Sequence, residues 1–293
     1  AVPVVHIVNI QQFFPQRPWS DMGLVPVSFY PFAIGMCFFM PLDLAFSCWF
    51  FFIFWRAQRV LASHIGMHGM PGFPYVEEQT AGGYYTLAFI ALWVSRRQLA
   101  RMAAMLFGKP PPDASAWERR EVYIAALMVG GGGIFLFVFS RAAGMSTLVT
   151  VAFFVLYFLI STAVTRMRAE LGPPSHDLHF IGPNFQLVKI LGPRAIRDWN
   201  PKDLSMLGFY NWFNRAYRGN PMPHGMEGFR IAERFGMSSG KYLVAMVLSV
   251  LAGAICAFWA LLVAMNYYGA SQISGLGDAF GSEQWQFFIN SWF

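Results

Sequence analysis

Between Met22 and Trp55 the chain runs thirty-four residues with a single charged side chain, Asp43. One helix crosses a hydrocarbon core of about 30 Å with about 20 apolar residues. The stretch is therefore too long for one ordinary span and short for two. Near its middle stand Pro41 and Asp43. A proline inside a helix removes a backbone hydrogen bond and kinks or breaks the helix. A carboxylate at the centre of a span costs about 3 kcal/mol or more. The stretch is expected to be broken at Pro41, and broken helices carrying a buried acid are a common way to line a solute path through a bilayer.

The rest of the composition supports a membrane protein. Charged residues make up only 12% of the chain and hydrophobic ones 56%, whereas soluble domains carry about 25% charged residues. The mean hydropathy is +0.43. These values predict an all-α protein, a polytopic transmembrane helical bundle with broken or re-entrant segments and short amphipathic surface helices, its first partner the lipid bilayer. The net charge of +6 does not point to nucleic acid, because the basic residues cluster in loops beside apolar runs, as the positive-inside rule expects. Cys37, Cys48 and Cys256 all lie in apolar runs without metal-ligand spacing and read as small buried side chains. No signal peptide is visible at AVPVVHIVNI, and the chain ends on QWQFFINSWF; both ends read as cuts inside a longer protein.

Two parts are expected. In residues 1–120 a broken segment over 24–62 is followed by a Gly- and Pro-rich stretch and an uncharged run over 79–95. That run is at the lower limit for a span and is either short or re-entrant. A basic loop then carries Arg96, Arg97, Arg101, Lys109, Arg119 and Arg120. In residues 121–293 spans are expected at about 122–140, 145–165 and 242–268, the first two joined as a helical hairpin. The polar segment 166–241 holds eleven Lys and Arg. Within it, DLSMLGFYNWFNRAYRG and HGMEGFRIAERFG read as amphipathic helices lying along the membrane face, the second with Met226, Phe229 and Ala232 on one side. Loops 96–120 and 166–241 are expected to be cytoplasmic.

Asp43 is the first candidate for a substrate or coupling-ion residue, although two residues after Pro41 a carboxylate also serves as an ordinary helix-start acid. Glu77, Glu78 and Gln79 are the second group. Adjacent carboxylates repel, so one is expected to bind its proton more tightly and to trade it near neutral pH; the alternative is a pair of solvated first-turn acids. Gly131 and Gly132, within Gly130–Gly133, would either unwind a helix and expose its backbone to a solute or allow close packing. His176, Asp177 and His179 match no zinc spacing, and His224 with Glu227 reads as local pairing. No metal site, cofactor site or catalytic constellation is expected, which argues against an enzyme.

Three stretches carry a resemblance: WSDMGLVPVSFYPFAIGMCFFMPLDLAFSCWFFFIFWRAQRV, GFPYVEEQTAGGYYTLAFIALWVSRRQL and RGNPMPHGMEGFRIAERFGMSSGKYLVAMVLSVLAGAICAFWALL. They resemble a family of bacterial multi-pass membrane proteins built from two adjoining domains of unknown function. The resemblance implies a longer protein in the bacterial inner (cell) membrane, and more weakly it is similar to the oligopeptide transporter family. The expected function is a secondary transporter, coupled to protons or another cation, for a small polar solute or peptide. The alternative is a non-transporting scaffold that recruits a partner through 166–241 and its aromatics Tyr210, Trp212, Phe213 and Tyr217.

Overall fold

The computed structural model describes residues 7–67, 70, 73–108, 110–172, 181–197, 200–214 and 219–269, with no side-chain detail for 192–197. Eleven α-helices account for almost all of the regular structure among these residues. The one exception to an all-α fold is a two-residue antiparallel ladder, β1 (Val8–Asn9) with β2 (Pro26–Val27), in register Val8 to Val27. Between the strands lie two short 3-10 turns, Ile10–Phe13 and Trp19–Met22.

The opening apolar stretch is broken where its proline stands. Helix α1 (Pro31–Phe38) starts with Pro31 in its first turn, and α2 (Leu42–His64) starts directly after Pro41. Proline is tolerated at such a start because the missing N–H has no intrahelical partner there. The Trp19–Met22 turn packs on the second half of α2. Arg56 Nη1 donates to the Met22 carbonyl at 3.1 Å, and Ser63 Oγ donates to the Asp21 carboxylate. Gly23 allows this approach. Its φ of +75° suits glycine, and a Cβ there would lie 2.9 Å from the guanidinium nitrogens of both Arg56 and Arg59.

Helices α3 (Val76–Val94) and α4 (Arg96–Leu106) follow, separated only by Ser95. The run expected over 79–95 is thus an unbroken helix of 19 residues. Arg101 ties α4 to the next element through Glu118, at 3.1 Å from Nε, and to Asp113 at 2.8 Å. Helix α5 (Ala116–Ala142) opens on a serine N-cap: Ser115 Oγ accepts from the Glu118 N–H at 3.0 Å. Its glycine run stays helical throughout. Helix α6 (Thr147–Leu171) returns after a tight turn through Gly144, and it ends at Gly172 in the left-handed conformation.

Helices α3, α5, α7 (Pro183–Arg197) and α10 (Pro221–Arg234) make the most extensive contacts with α6. Helix α6 is consequently the buried centre of the fold, carrying Phe153, Ile160, Ala163 and Val164 without exposure. Short helices α8 (Pro201–Phe209) and α9 (Asn211–Asn214) complete the polar segment, and α11 (Ser239–Tyr268) follows α10. Asn200 and Asn220 cap α8 and α10, each ahead of a proline in the first turn.

The two amphipathic stretches do not share one face. At the start of α6, the Ser146 N–H donates to the buried Asp203 carboxylate, and Tyr210 Oη shares a hydrogen bond with Ser140 Oγ at 2.7 Å. Towards its end, Asn220 Nδ2 donates to Ser161 Oγ at 3.0 Å, and Arg168 forms a two-pronged pair with Glu227. Ser146 and Arg168 are 22 residues apart, about 33 Å along a helix. The described parts of 200–227, residues 200–214 and 219–227, therefore lie against opposite ends of α6. The buried side of α10 also differs from the expected one: Pro223, Gly228 and Ala232 are buried, whereas Met226 is exposed. Gly228 decides this, because its missing side chain admits the ring of Tyr242 from α11, whose Cζ would lie 2.7 Å from an added Cβ.

Candidate functional site

The candidate residues occupy three separate places. Asp43 stands in the first turn of α2 and is exposed; no hydrogen bond or ion pair of its carboxylate is found among the described residues. Its backbone carbonyl accepts from Ser47 Oγ at 2.7 Å. The placement is that of a helix-start acid, with Pro41 immediately outside the helix.

Gly131 and Gly132 lie within continuous α5, exposed, with no atom within 4 Å of an added Cβ at any of Gly130–Gly133. Neither unwinding nor close packing is present at these positions among the described residues. An apolar cleft of about 450 Å³ does open beside the run, where Gly133, Leu136 and Phe137 of α5 face Leu92 of α3 and the Thr150–Thr162 side of α6.

Glu77, Glu78 and Gln79 form the most elaborate of the three. They occupy the first turn of α3, entered through Tyr75 in a left-handed conformation (φ +57°), uncommon for a bulky residue. Gln79 Nε2 donates back to the Pro74 carbonyl at 2.7 Å and fixes this entry. Lys189, on α7, donates from one ammonium group to both carboxylates, to Glu78 Oε1 at 2.8 Å and also to Glu77 Oε2. The triad carries one net negative charge and sits at the surface of the described chain.

This lysine reverses the expected titration. Partial burial works to raise the Glu78 carboxyl, but the hydrogen bond and charge of Lys189, with a backbone hydrogen bond, outweigh it and hold the group below the ordinary glutamate range. For Lys189, burial works to lower the ammonium, and the two carboxylates overcome it and raise it. At neutral pH Lys189 is clamped to an ionised Glu78, whose carboxyl holds no loosely bound proton of the kind expected of an isolated pair.

Behind the triad, Tyr84 and Tyr85 of α3 pack against Ile160, Val164 and Ile181. Next to this cluster is a buried polar seam made by Asn184, Gln186, Asn211, Asn214, Asn220 and Ser161. Glu227 is bonded to Arg168. His176, Asp177 and His179 lie outside the described residues. Among the described residues no group of His, Cys, Asp and Glu is arranged to hold a metal ion.

Sequence reasoning did not single out Lys189 or the asparagine seam. Lys189 is 112 positions from Glu77, and the only local signal was one lysine in the otherwise apolar run QLVKIL. The asparagines leave only a weak sequence signal, three of them (Asn211, Asn214, Asn220) in ten residues among aromatics, a composition that fits caps or a loop as readily as a packed polar network.

Among the described residues three helices, α5, α6 and α11, are long and apolar enough to cross a membrane, and the fold is accordingly that of a membrane-associated helical bundle. No curated protein and no solved structure matches the chain. A family model does, over residues 1–292: the chain belongs to the family of unknown function DUF6785.

Proposed function

We propose that this chain is the membrane-embedded part of a secondary transporter, coupled to protons or another cation, that carries a small polar solute or peptide. The observation that carries the reading is the Glu77–Glu78–Lys189 triad. An ammonium group shared by two carboxylates is an internal counter-ion that an incoming cation or proton can replace. When a proton or cation neutralises the acids, Lys189 is released and α7 loses its tie to the start of α3. Ion occupancy is thereby linked to how two elements packed on α6 sit against each other, which is what coupling requires.

The arrangement around α6 supports the same reading. Short, interrupted helices packed along a spanning helix are typical of transporter binding regions, because irregular backbone is tolerated at membrane depth only inside protein or beside a cavity. In this proposal the basic ends of the polar segment face the cytoplasm, of a bacterial inner membrane, while α8 and α9 re-enter beside α6. Asp43, Gly131 and Gly132 remain candidates through the other faces of the bundle. The scaffold alternative draws less support, because Tyr210 is buried and Phe213 packs on Phe153 and Tyr157, with Trp212 left exposed.

The test is uptake by the full-length protein in proteoliposomes under an imposed pH or sodium gradient, screening small peptides and polar solutes. Wild-type protein is expected to show gradient-driven uptake, and Glu78→Gln and Lys189→Met to uncouple uptake from the gradient. Coupled uptake that survives both substitutions would remove the triad from the mechanism.

A further inference from the structure

Two buried asparagine oxygens have no hydrogen-bond partner: Asn184 Oδ1 at the start of α7 and Asn214 Oδ1 at the end of α9. Both residues are completely buried. An unpaired acceptor in such a place costs about 1–3 kcal/mol, so two together call for an explanation. Their orientation is fixed by the other half of each amide. Asn184 Nδ2 donates to Asn211 Oδ1 at 3.0 Å, and Asn214 Nδ2 donates to the Tyr210 carbonyl at 2.9 Å. Turning either amide over would set oxygen against oxygen and remove a donor from a satisfied acceptor.

The two oxygens converge. A Cβ added to Gly182 would lie 2.5 Å from Asn184 Oδ1, 2.6 Å from Asn214 Oδ1 and 2.9 Å from the Asn214 carbonyl oxygen. Three acceptors thus ring one face of a glycine, close enough together to share a single ligand. One water has only two protons to give to three acceptors. A cation attracts all three. The set contains no carboxylate, and neutral oxygens alone suit a singly charged ion better than calcium, which is bound through carboxylates.

We propose that Asn184 Oδ1, Asn214 Oδ1 and the Asn214 carbonyl, gathered at Gly182, form part of a binding site for an alkali-metal cation. Its depth agrees. Ile181 packs on Ile160 and Val164, and Phe213 packs on Tyr157, which places the site beside the middle of α6. If α6 crosses the bilayer, that is the midplane, where interrupted helices with exposed carbonyls hold coupling ions in secondary transporters. A role in coupling rests on the transport reading above; cation binding does not.

The experiment therefore measures binding without flux. The full-length protein in detergent is titrated with NaCl, KCl or choline chloride at constant ionic strength, following tryptophan fluorescence, to which the adjacent Trp212 contributes, and the thermal midpoint. A saturable change and a rising midpoint are expected with sodium or potassium and not with choline, because a ligand that binds the native state stabilises it. Gly182→Ala pushes a methyl group among the three oxygens and is expected to weaken the response at least about tenfold. Asn184→Ser withdraws one oxygen while keeping a residue suited to a helix start, and is expected to weaken it as well. The same behaviour of the wild-type protein in all three salts would overturn the proposal, as would a cation response that both variants leave unchanged. A cation response without gradient-driven uptake would keep the site and overturn only the transport reading.

Discussion

Replacing Lys189 with methionine keeps most of the side chain's length and apolar stem and removes its charge, leaving Glu77 and Glu78 side by side. The size of the effect follows from the geometry. A unit-charge pair about 3 Å apart is worth about 1.4 kcal/mol at the dielectric of water. All three groups are substantially open to solvent, with side-chain exposures of 52%, 46% and 35% for Glu77, Glu78 and Lys189, so screening, desolvation and lost side-chain freedom offset much of the attraction. Exposed pairs measured by double-mutant cycles give about 0.2–1 kcal/mol each. Two pairs make the expected loss about 1 kcal/mol at pH 7. Its pH dependence is the sharper test. The Glu78 carboxyl is held below its ordinary value, so its contribution is present above the unfolded-state pKa, about 4.3, and is lost as pH falls through the lower folded value. The Lys189 ammonium is raised, so its contribution is present below about 10.4 and is lost as pH rises through the higher folded value. Between about pH 5 and pH 10 the variant should be less stable than the wild type, and the difference should shrink as pH falls below about 4.3. Thermal unfolding in detergent, at low and at high salt, reads this directly; the difference should shrink in high salt because these charges are screened. An equal penalty at pH 3 and pH 7 would refute the electrostatic account and leave packing of the lysine stem as the cause.

Gly228→Ala places a methyl group against the Tyr242 ring, with Cζ at 2.7 Å, and should destabilise the contact of α10 with α11 by about 1–3 kcal/mol. Protease cleavage between residues 234 and 239 should accelerate in that variant, and Gly228→Ala combined with Tyr242→Ala should lose less than the sum of the two. Gly131→Ala and Gly132→Ala meet open space on an intact helix, so each should stabilise the protein by up to about 1 kcal/mol on the intrinsic helix scale and raise its thermal midpoint. A fall instead would show that this glycine face is covered in the full-length protein.

Much of the architecture is legible in the residue pattern because it depends on local rules. The broken opening stretch follows from Pro41, and helices α5, α6 and α11 overlap the stretches 122–140, 145–165 and 242–268, where the apolar runs lie. The glycine run behaves otherwise because helix propensity is a weak prior. Four glycines lower the intrinsic preference, yet in α5 the flanking apolar turns carry the helix through. What sequence could not show is pairing at a distance. The acids at 77 and 78 suggest a site, but the titration of that site depends on a lysine contributed by α7, and the sign of the Glu78 shift changes with it. The burial of Asn184 and Asn214 was likewise invisible, since asparagines among aromatics suit a capping residue, a loop or a buried network equally well.

The distribution of polar atoms along α6 narrows where function resides. A helix that is apolar all round belongs in a protein core or in lipid. Helix α11 shows that extreme, with no buried residue in its 30-residue length, and little of α5 is buried. Helix α6 has the same apolar composition yet buries Thr150, Ser161 and Thr165. Their hydroxyls each bond the carbonyl four residues back or a partner from another element: Thr150 to Ser146, Thr165 to Ser161, and Ser161 to Asn220. Satisfied in this way, the hydroxyls add little reason for the chain to keep polar groups at that depth. The unsatisfied oxygens at Gly182, beside the same helix, are different: packing leaves them unpaired, and an apolar replacement would remove the penalty. In the cation-site proposal the bound ion would remove that penalty, held between α6 and the short helices of the polar segment.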